Sequence, residues 1–350
     1  MENSEIKAIT YQASMRLSIK LQKLDLVKLK LSEYNTAYLN KYLTDLDFYS
    51  NLYGQLLHKA IIKLKKPIKE STFIDYGGGS GFLSLFAKEL GFKTVIYNDL
   101  YNISVKDAKK ISKAAQIEID HFICGDCAEL VANLNTENLK PDLICSFDVL
   151  EHIYNLDTWF HQISTIRNPF HLIFTTSANT KNPFIVRRLR KIHNKAEHKG
   201  TNKTNGWKKT DSNLAFLEIR KQILTEKYPE IKPETIEILA MKTRGLKKKD
   251  ILIQVNQFLK TGKMDHQIKD PTNTCDPLTG NWAENLINLK HLKTIINSYD
   301  MDIQIKNSEY AYNSNKNLNY VKRIINLLIR TLNSNVLMFS PSYSIEVEKK

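Results

Sequence analysis

Residues 72–90 read TFIDYGGGSGFLSLFAKEL. The run Thr72–Tyr76 suits a buried strand, and the apolar residues from Phe82 onward recur at helical spacing. Between the two stand four glycines, which let the backbone turn tightly and let a ligand approach the main chain without meeting a Cβ atom. Gly91 ends the helical pattern, as glycine commonly does. This stretch predicts a strand, a ligand-binding loop and a helix.

A dinucleotide-binding loop of the form G-x-G-x-x-G is the main competitor for the glycine cluster. Counted from Gly77 and Gly79, its third glycine falls at position 82, which is Phe82. The spacing therefore argues against that class of site.

From Thr72 onward, short apolar runs alternate with helical patterns, which is typical of β-α-β units and a parallel sheet. The further strands are predicted at Thr94–Asn98, Ile117–Cys124, Asp142–Phe147, His171–Thr176, Met301–Ile305 and Val336–Val347. The interleaved helices are predicted at Ile103–Ala115, Leu150–Ile166, Ala283–Tyr299 and Leu318–Leu332. We expect an α/β fold: a Rossmann-like, doubly wound, mostly parallel sheet of seven strands.

The domain organisation follows from where this alternation starts and stops. Residues 1–70 form helical patterns and are predicted to be an N-terminal lid. The core comprises residues 71–177 and 283–350. Residues 178–282 are predicted to be an inserted helical cap that binds the substrate, and it opens at Asn182 and Pro183, a helix cap followed by proline at the first helical position.

Composition excludes several classes of protein. The 350 residues are 42% hydrophobic and include only four cysteines, which rules out a disordered chain and a disulfide scaffold. Lysines interrupt every apolar run in the first 30 residues, so we expect no signal peptide and a cytoplasmic protein. The net charge of +14 favours either an anionic partner, such as nucleic acid or a membrane surface, or a codon bias that spreads lysine without forming a site.

Acidic residues follow the predicted strands where open α/β sheets bind ligands. Asp99 ends the second strand, and its carboxylate is suited either to accept bonds from both hydroxyls of a ribose or to cap the next helix. Asp126 follows the third strand and Asp148 the fourth.

Together, Asp75 to Gly81, Asp99, Asp126 and the sequence Asp148-Val-Leu-Glu-His152 resemble the class I S-adenosylmethionine-dependent methyltransferases over about residues 72–176. The resemblance implies S-adenosylmethionine as cofactor, S-adenosylhomocysteine as product, and a set of cofactor-binding positions. These are Asp75, Gly77, Gly78, Gly79, Gly81, Asp99, Leu100, Asp126, Cys127, Phe147 and Asp148.

Each position takes a role from the same resemblance. The glycines pass under the methionine part of the cofactor, with Asp75 supporting the loop or the ammonium group. Asp99 binds the ribose, Asp126 lies near the adenine amino group and Cys127 contributes a backbone contact. Phe147 and Asp148 lie beside the methionine moiety.

The pair Cys124 and Cys127 has an alternative interpretation as a redox pair or half of a zinc site. No second close pair completes a metal site, so packing at a strand end is the default.

His152 is the candidate general base, with Glu151 as a second catalytic candidate, because a methyl-accepting hydroxyl or amine must lose a proton. A packing role for His152 at a helix start stays open. Asp148, Glu151 and His152 also resemble the Glu-x-x-Glu-His metal-binding pattern of ubiquinone-biosynthesis O-methyltransferases and of a small-RNA methyltransferase family. Asp148 replaces the first Glu here, so no metal is expected.

The predicted cap contributes further candidates. His193, Glu197 and His198 are either ligands for a metal or an acceptor, or incidental residues of a solvated helix. The basic cluster Arg187, Arg188, Arg190 and Lys191 suits a phosphate, a carboxylate or a lipid headgroup. Trp282 is either an apolar wall of the acceptor pocket or a packed turn residue.

The resemblance implies a methyltransferase acting on an oxygen of a small-molecule, lipid-precursor or glycan-like acceptor. No Asn/Asp-Pro-Pro-Tyr/Phe motif follows the fourth strand, which disfavours methylation of a nucleobase amine. The alternatives are an RNA methyltransferase that uses the basic cap and a catalytically inactive, cofactor-binding partner subunit. Peripheral membrane contact stays open, although the amphipathic segment Val321–Leu332 is expected to pack in the core.

Overall fold

A computed structural model of the chain describes residues 2–200, 214–267, 270–312, 316–331 and 333–350. The chain divides into two compact units. The first comprises Met1–Leu150, Leu156–Ser177 and Leu289–Lys350, and the second comprises Glu151–Asn155 and Ala178–Asn288.

The first unit contains a seven-stranded sheet. Its strands are β1 (Thr72–Tyr76), β2 (Thr94–Asp99), β3 (His121–Cys124), β4 (Leu143–Phe147), β5 (Phe170–Thr176), β6 (Met301–Asn307) and β7 (Tyr343–Lys349). They lie in the order β3-β2-β1-β4-β5-β7-β6, with β7 antiparallel to both of its neighbours and the other pairings parallel. The predicted Rossmann-like, mostly parallel sheet of seven strands is confirmed.

The central strands are apolar because helices cover both faces of the sheet. Ile74 on β1 pairs with Ile96 on β2 and with Ile144 on β4, and all three side chains are fully buried. This parallel register brings the carboxyl ends of β1, β2 and β4 to one edge.

Ten α-helices of the first unit fall within the described residues. They are α1 (Asn3–Gln22), α2 (Leu26–Leu29), α3 (Glu33–Thr44), α4 (Leu46–Ile62), α5 (Phe82–Glu89), α6 (Asn102–Ala114), α7 (Cys127–Thr136), α8 (Leu156–Ser164), α13 (Leu289–Asn297) and α14 (Lys316–Thr331). The N-terminal helices share a core with the sheet, since α1 packs on α4 and α5, and α4 packs on β4 and β5. Leu17 and Leu57 are fully buried in that core.

The second unit has four α-helices in its described part: α9 (Pro183–His198), α10 (Phe216–Lys227), α11 (Pro233–Lys242) and α12 (Lys248–Thr261). Its core includes Leu224, Leu239 and Val255. Asn182 caps α9 as predicted, because its side chain accepts hydrogen bonds from the backbone N–H groups of Phe184 and Ile185. The sequence pattern also predicts a helix from near Asp211 to just before Pro229; Asp211 lies outside the described residues, and α10 begins at Phe216.

Two predicted helices are wrong over part of their length. The helix Leu150–Ile166 is a 3-10 turn, Leu150–His152, followed by α8 from Leu156. The helix Ala283–Tyr299 begins only at Leu289. The backbone of both segments bonds elsewhere: the carbonyl of Glu151 accepts from the N–H of Asn285 at 3.1 Å. Those groups are therefore not available for helical i to i+4 bonds.

Three further boundaries differ from the prediction. The third strand begins at His121 and not at Ile117. Just before it, the side-chain carboxylate of Asp120 accepts a hydrogen bond from the N–H of Val95 on β2. The segment predicted as a strand from Val336 begins as a 3-10 helix, Asn333–Phe339, and becomes a strand only after Pro341, which lacks an N–H for the ladder. The sequence reading also missed α7.

No helix among the described residues is long and apolar enough to cross a membrane.

Candidate functional site

The glycine loop joins β1 to α5 at the carboxyl edge of the sheet. Gly77, Gly79 and Gly81 have φ angles of +73°, +53° and +84°, a left-handed region in which other residues are strained. The N–H groups of Gly77 and Gly78 both donate to the carbonyl of Asn98 at 2.9 Å. The loop is thereby tied to the end of β2.

Two glycines of this loop are required for different reasons. A Cβ atom on Gly78 would lie 2.5 Å from the ring of Tyr97 and 2.8 Å from Oδ2 of Asp75, so packing excludes a side chain there. A Cβ atom on Gly79 would meet nothing within 4 Å. The space beside Gly79 is therefore open to a ligand.

Asp75 is buried below the loop, near the end of β1. Its Oδ2 accepts hydrogen bonds from the N–H of Ser84 at 3.0 Å and from the Ser84 hydroxyl at 2.7 Å. Burial raises the pKa of Asp75 to about 7, although the two bonds from Ser84 act in the opposite direction. Asp75 thus anchors the first turn of α5, which supports the loop.

Asp99 lies at the end of β2 and is also buried. Its Oδ2 accepts the N–H of Gly79 at 2.9 Å, and its Oδ1 accepts the N–H of Tyr101 at 2.8 Å. The residue at the N-cap of α6 is Tyr101, so Asp99 does not cap that helix. The next residue, Leu100, exposes 59% of its surface at the same edge.

Asp126 begins α7 as part of a capping box. Its Oδ1 accepts the N–H of Ala128 at 2.7 Å, while the side chain of Glu129 accepts the N–H of Asp126 at 3.0 Å. This reciprocal pair was the sequence signal for α7 that the motif reading overlooked. The contact of Asp126 with the adenine amino group stays a prediction.

The two close cysteines occupy different environments. Cys127 is buried with its Sγ 3.8 Å from the carbonyl of Trp159, and burial raises the pKa of its thiol. Cys124 is exposed. Among the residues that the structure describes, no group of three or more His, Cys, Asp and Glu side chains is placed to hold a metal ion.

The end of β4 is shaped by Asp148, a non-glycine residue with φ of +53°. Its N–H donates to the carbonyl of Thr175 at 2.9 Å, and its Oδ1 accepts the N–H of Ser177 at 2.7 Å. The ring of Phe147, one residue earlier, lies 5.1 Å from the ring of Tyr53. These bonds join the ends of β4 and β5.

Tyrosines of the N-terminal helices form an aromatic layer beside the loop, which the sequence analysis did not assign to the site. The ring of Tyr53 lies 5.0 Å from that of Phe82, the first residue of α5, and its hydroxyl lies 3.1 Å from that of Tyr42. Burial raises the pKa of Tyr53 well above its usual value, with contributions from Asp148 and Asp75. The i, i+4 spacing of tyrosines in α3 was the available signal.

His152 and Glu151 belong to the second unit. Nδ1 of His152 lies 2.8 Å from the carbonyl oxygen of Trp282, and Nε2 lies 3.9 Å from Oε1 of Glu284. A carbonyl can only accept, so Nδ1 must carry the proton that is donated, and in the neutral ring Nε2 has the lone pair. Glu151 is fully buried.

The three candidates on α9 have separate environments. His193 is buried, with Nε2 at 2.8 Å from the carbonyl of Glu284. Glu197 is buried and pairs with Arg220, whereas His198 is exposed. The interpretation of this helix as a solvated one with incidental histidines is therefore wrong for His193 and Glu197.

Trp282 is packed inside the second unit. Its ring stacks on Tyr154 with centroids 6.2 Å apart, and its Nε1 donates to the carbonyl of Tyr154 at 3.1 Å. A Cβ atom on Gly245 would lie 3.1 Å from its ring. These contacts favour the packed turn over a pocket wall.

The basic residues of α9 are exposed. Arg187, Arg190 and Lys191 line an open groove together with Pro183 and Asn194. Arg190 also lies 3.8 Å from Asp270.

The sheet and the glycine loop define a Rossmann-like fold, a class in which ligands bind at the carboxyl edge of the parallel strands. Residues 47–206 match a protein family described as a methyltransferase domain. This part of the chain is therefore similar to a methyltransferase domain, in agreement with the resemblance that the sequence motifs indicate.

Solved structures with a similar fold share little sequence with the chain. One from Clostridium acetobutylicum, described as a S-adenosylmethionine-dependent methyltransferase, has 12% identity and a TM-score of 0.43 over 89% of this chain and 96% of its own. One from Listeria monocytogenes, given the same description, has 11% identity and a TM-score of 0.41 over 86% and 99%. A third, from Mesorhizobium loti, has 12% identity and a TM-score of 0.38 over 81% and 94%.

Proposed function

We propose that the protein transfers a methyl group from S-adenosylmethionine, bound at the carboxyl edge of β1, β2 and β4, to an oxygen of a small-molecule, lipid-precursor or glycan-like acceptor. The observation that supports the cofactor site is the 2.9 Å bond between Gly79 and Asp99, which holds the open side of the loop against a buried carboxylate. An acidic edge suits this cofactor because it has a sulfonium and an ammonium group but no phosphate.

Different residues of this edge contact different parts of the cofactor. The carboxylate of Asp99, at the end of β2, accepts hydrogen bonds from the ribose hydroxyls. Leu100 offers an exposed apolar surface to the adenine, and Asp126 lies toward its amino group. Tyr53 and Phe147 place aromatic rings on the side of the methionine part, where a cation gains from the negative face of a ring.

His152 is the general base in this proposal. When bound, the cofactor supplies an electrophilic methyl group. The bond from Nδ1 to Trp282 fixes the tautomer, so Nε2 takes the proton from the acceptor hydroxyl as its oxygen attacks. The carboxylate of Glu284, 3.9 Å from Nε2, stabilises the imidazolium that results. Buried Glu151 positions this turn through its backbone bond to Asn285.

Methyl-labelled S-adenosylmethionine tests the acceptor class. The protein is incubated with the label and with separated small-molecule and RNA fractions of a cell extract, and the label in each is counted. We expect transfer into the small-molecule fraction, lost in Asp99→Ala and strongly reduced in His152→Ala at unchanged cofactor affinity. Label in RNA, or cofactor binding without any transfer, would contradict the proposal.

The RNA alternative is favoured by one observation, the exposed arginines and lysine of α9. RNA affinity should then fall steeply with ionic strength, since each phosphate contact releases counterions. Transfer to a neutral small acceptor should change little over the same range of salt.

A further inference from the structure

Helix α14 has an apolar face that is exposed to solvent, where the sequence predicted core packing. Six of its large apolar side chains between Leu318 and Leu328 are each about half exposed or more, and Tyr320 reaches 68%, whereas Ile325 is only partly exposed. They are Leu318, Tyr320, Val321, Ile324, Leu327 and Leu328. Isolated exposed apolar residues are ordinary, but a contiguous group of this size marks an interaction surface.

The group forms a stripe. At about 100° per residue, Val321, Leu328, Ile324, Tyr320 and Leu327 fall within about 120° of the helix circumference. The opposite side of the helix faces the first unit, because Asn326 and Ile329 are buried. The stripe therefore points away from the first unit.

Specific bonds fix this orientation. Oδ1 of Asn326 accepts the N–H of Tyr310 at 2.7 Å, and its Nδ2 donates to the carbonyl of Tyr310 at 2.9 Å. Nζ of Lys322 donates to the carbonyl of Ala311 at 2.8 Å. A rotation that buried the stripe would break all three bonds.

The charge beside the stripe is positive. Between Leu318 and Arg330 the helix has Lys322, Arg323 and Arg330 and no acidic residue. Arg330 is paired with Glu309 at 2.6 Å, and the guanidinium of Arg323 lies over the ring of Tyr312 at 5.9 Å. Arg323 and Arg330 border the stripe on the side of Leu327.

We propose that this stripe, defined as Tyr320, Val321, Ile324, Leu327 and Leu328, binds the surface of an anionic lipid bilayer. An outward apolar face with a basic border is the pattern of a helix that lies in a membrane interface. A second copy of the chain fits less well, because both partners would have a net charge of +14 and would bring the same arginines to the contact.

Vesicle sedimentation tests the proposal with the full chain. We expect the protein to sediment with vesicles of phosphatidylcholine and phosphatidylglycerol and to stay in solution with phosphatidylcholine alone. Ile324→Glu should lower the bound fraction about tenfold, since it places a charge in the apolar contact. Arg323→Ala and about 0.5 M salt should each weaken binding, because both reduce the attraction to anionic headgroups.

Ile62→Glu is the matched control, since Ile62 is 51% exposed on α4 and Ile324 is 50% exposed. Ile62→Glu should bind vesicles as well as the unchanged protein does. Both variants should have the melting temperature of the unchanged protein. Three results would overturn the proposal: an unchanged protein that ignores anionic vesicles, equal losses in the two variants, or a dimer in sedimentation equilibrium that Ile324→Glu dissolves.

Discussion

Asp75 and Asp99 are buried carboxyl groups at neighbouring strand ends, but they have different partners. Asp75 accepts from the side chain and backbone of Ser84, and burial raises its pKa to about 7. Asp99 accepts two backbone N–H groups, one of them from the loop itself. Burial therefore brings the pKa of Asp75 close to neutral pH, whereas Asp99 is the carboxylate that holds the glycine loop.

The raised pKa of Asp75 predicts that cofactor affinity depends on pH. A cation bound nearby favours the ionised carboxyl, so binding should release a proton, and affinity should rise toward pH 7 by up to about tenfold per pH unit. Calorimetry in two buffers of different ionisation enthalpy counts the protons released. Asp75→Asn should abolish the release, and an affinity that is constant from about pH 5 to 7 would contradict the prediction.

The raised pKa of Asp75 also makes the stability of the protein depend on pH. The folded carboxyl keeps its proton over a range in which the unfolded one, with an ordinary pKa of 3.8, has released it. Its contribution to the free energy of unfolding is therefore full below about pH 4 and is lost as the pH rises through about 7.

Asp99→Ala should weaken S-adenosylmethionine binding at least about 30-fold, equivalent to about 2 kcal/mol, because two bonds to a charged acceptor are lost. Asp120→Ala is the control, since Asp120 also accepts a backbone N–H, that of Val95, but at the start of β2. Titration calorimetry compares the two variants. Equal S-adenosylmethionine affinities in folded samples of both variants would show that Asp99 does not bind the cofactor.

Among the elements, the glycine loop allows the effect of a substitution on stability to be distinguished from its effect on cofactor binding. Gly79→Ala and Gly91→Ala both place a side chain at positive φ, +53° and +88°, and neither Cβ meets an atom within 4 Å. Each should therefore cost about 1–2 kcal/mol of stability.

Only Gly79→Ala should also reduce cofactor affinity, because its methyl group enters the space reserved for the ligand. Thermal melting and cofactor titration of both variants check this. If Gly91→Ala lowered cofactor affinity as much as Gly79→Ala does, the loss would come from backbone strain and not from contact with the ligand.

Helix α9 is held by a buried ion pair. Burial alone would raise the pKa of Glu197, but Arg220 beside it lowers that pKa below its usual value. Glu197→Gln leaves the buried guanidinium of Arg220 without its counter-charge and should cost about 3–5 kcal/mol. Glu218→Gln, which removes an exposed pair with Lys221, should cost less than about 1 kcal/mol in the same denaturant titration. Similar losses in both would show that the Glu197 pair is not buried.

Elements were predictable where the local pattern alone determines them. The strand Thr72–Tyr76 and the cap at Asn182 follow from neighbouring residues, and both are present. The break after His152 was not predictable, because the carbonyls of Glu151 and Tyr154 bond to residues about 130 positions later in the chain. Contacts of that sequence separation leave no local trace in the pattern.

At the scale of the whole molecule, the sheet order explains why part of the candidate site could be predicted. Asp99 and the glycine loop come together because β1 and β2 are parallel neighbours, which the alternation of strands and helices already indicates. The tyrosine layer was missed because it depends on how α3 and α4 pack on the sheet. The partner of His152, the carbonyl of Trp282, was equally hidden, since backbone acceptors have no sequence signature.

Binding of S-adenosylmethionine at the carboxyl edge of the sheet can be measured by titration calorimetry of the purified protein with S-adenosylmethionine, S-adenosylhomocysteine and NAD. We expect micromolar binding of the first two and none of NAD. A folded protein that bound neither S-adenosylmethionine nor S-adenosylhomocysteine would contradict this expectation.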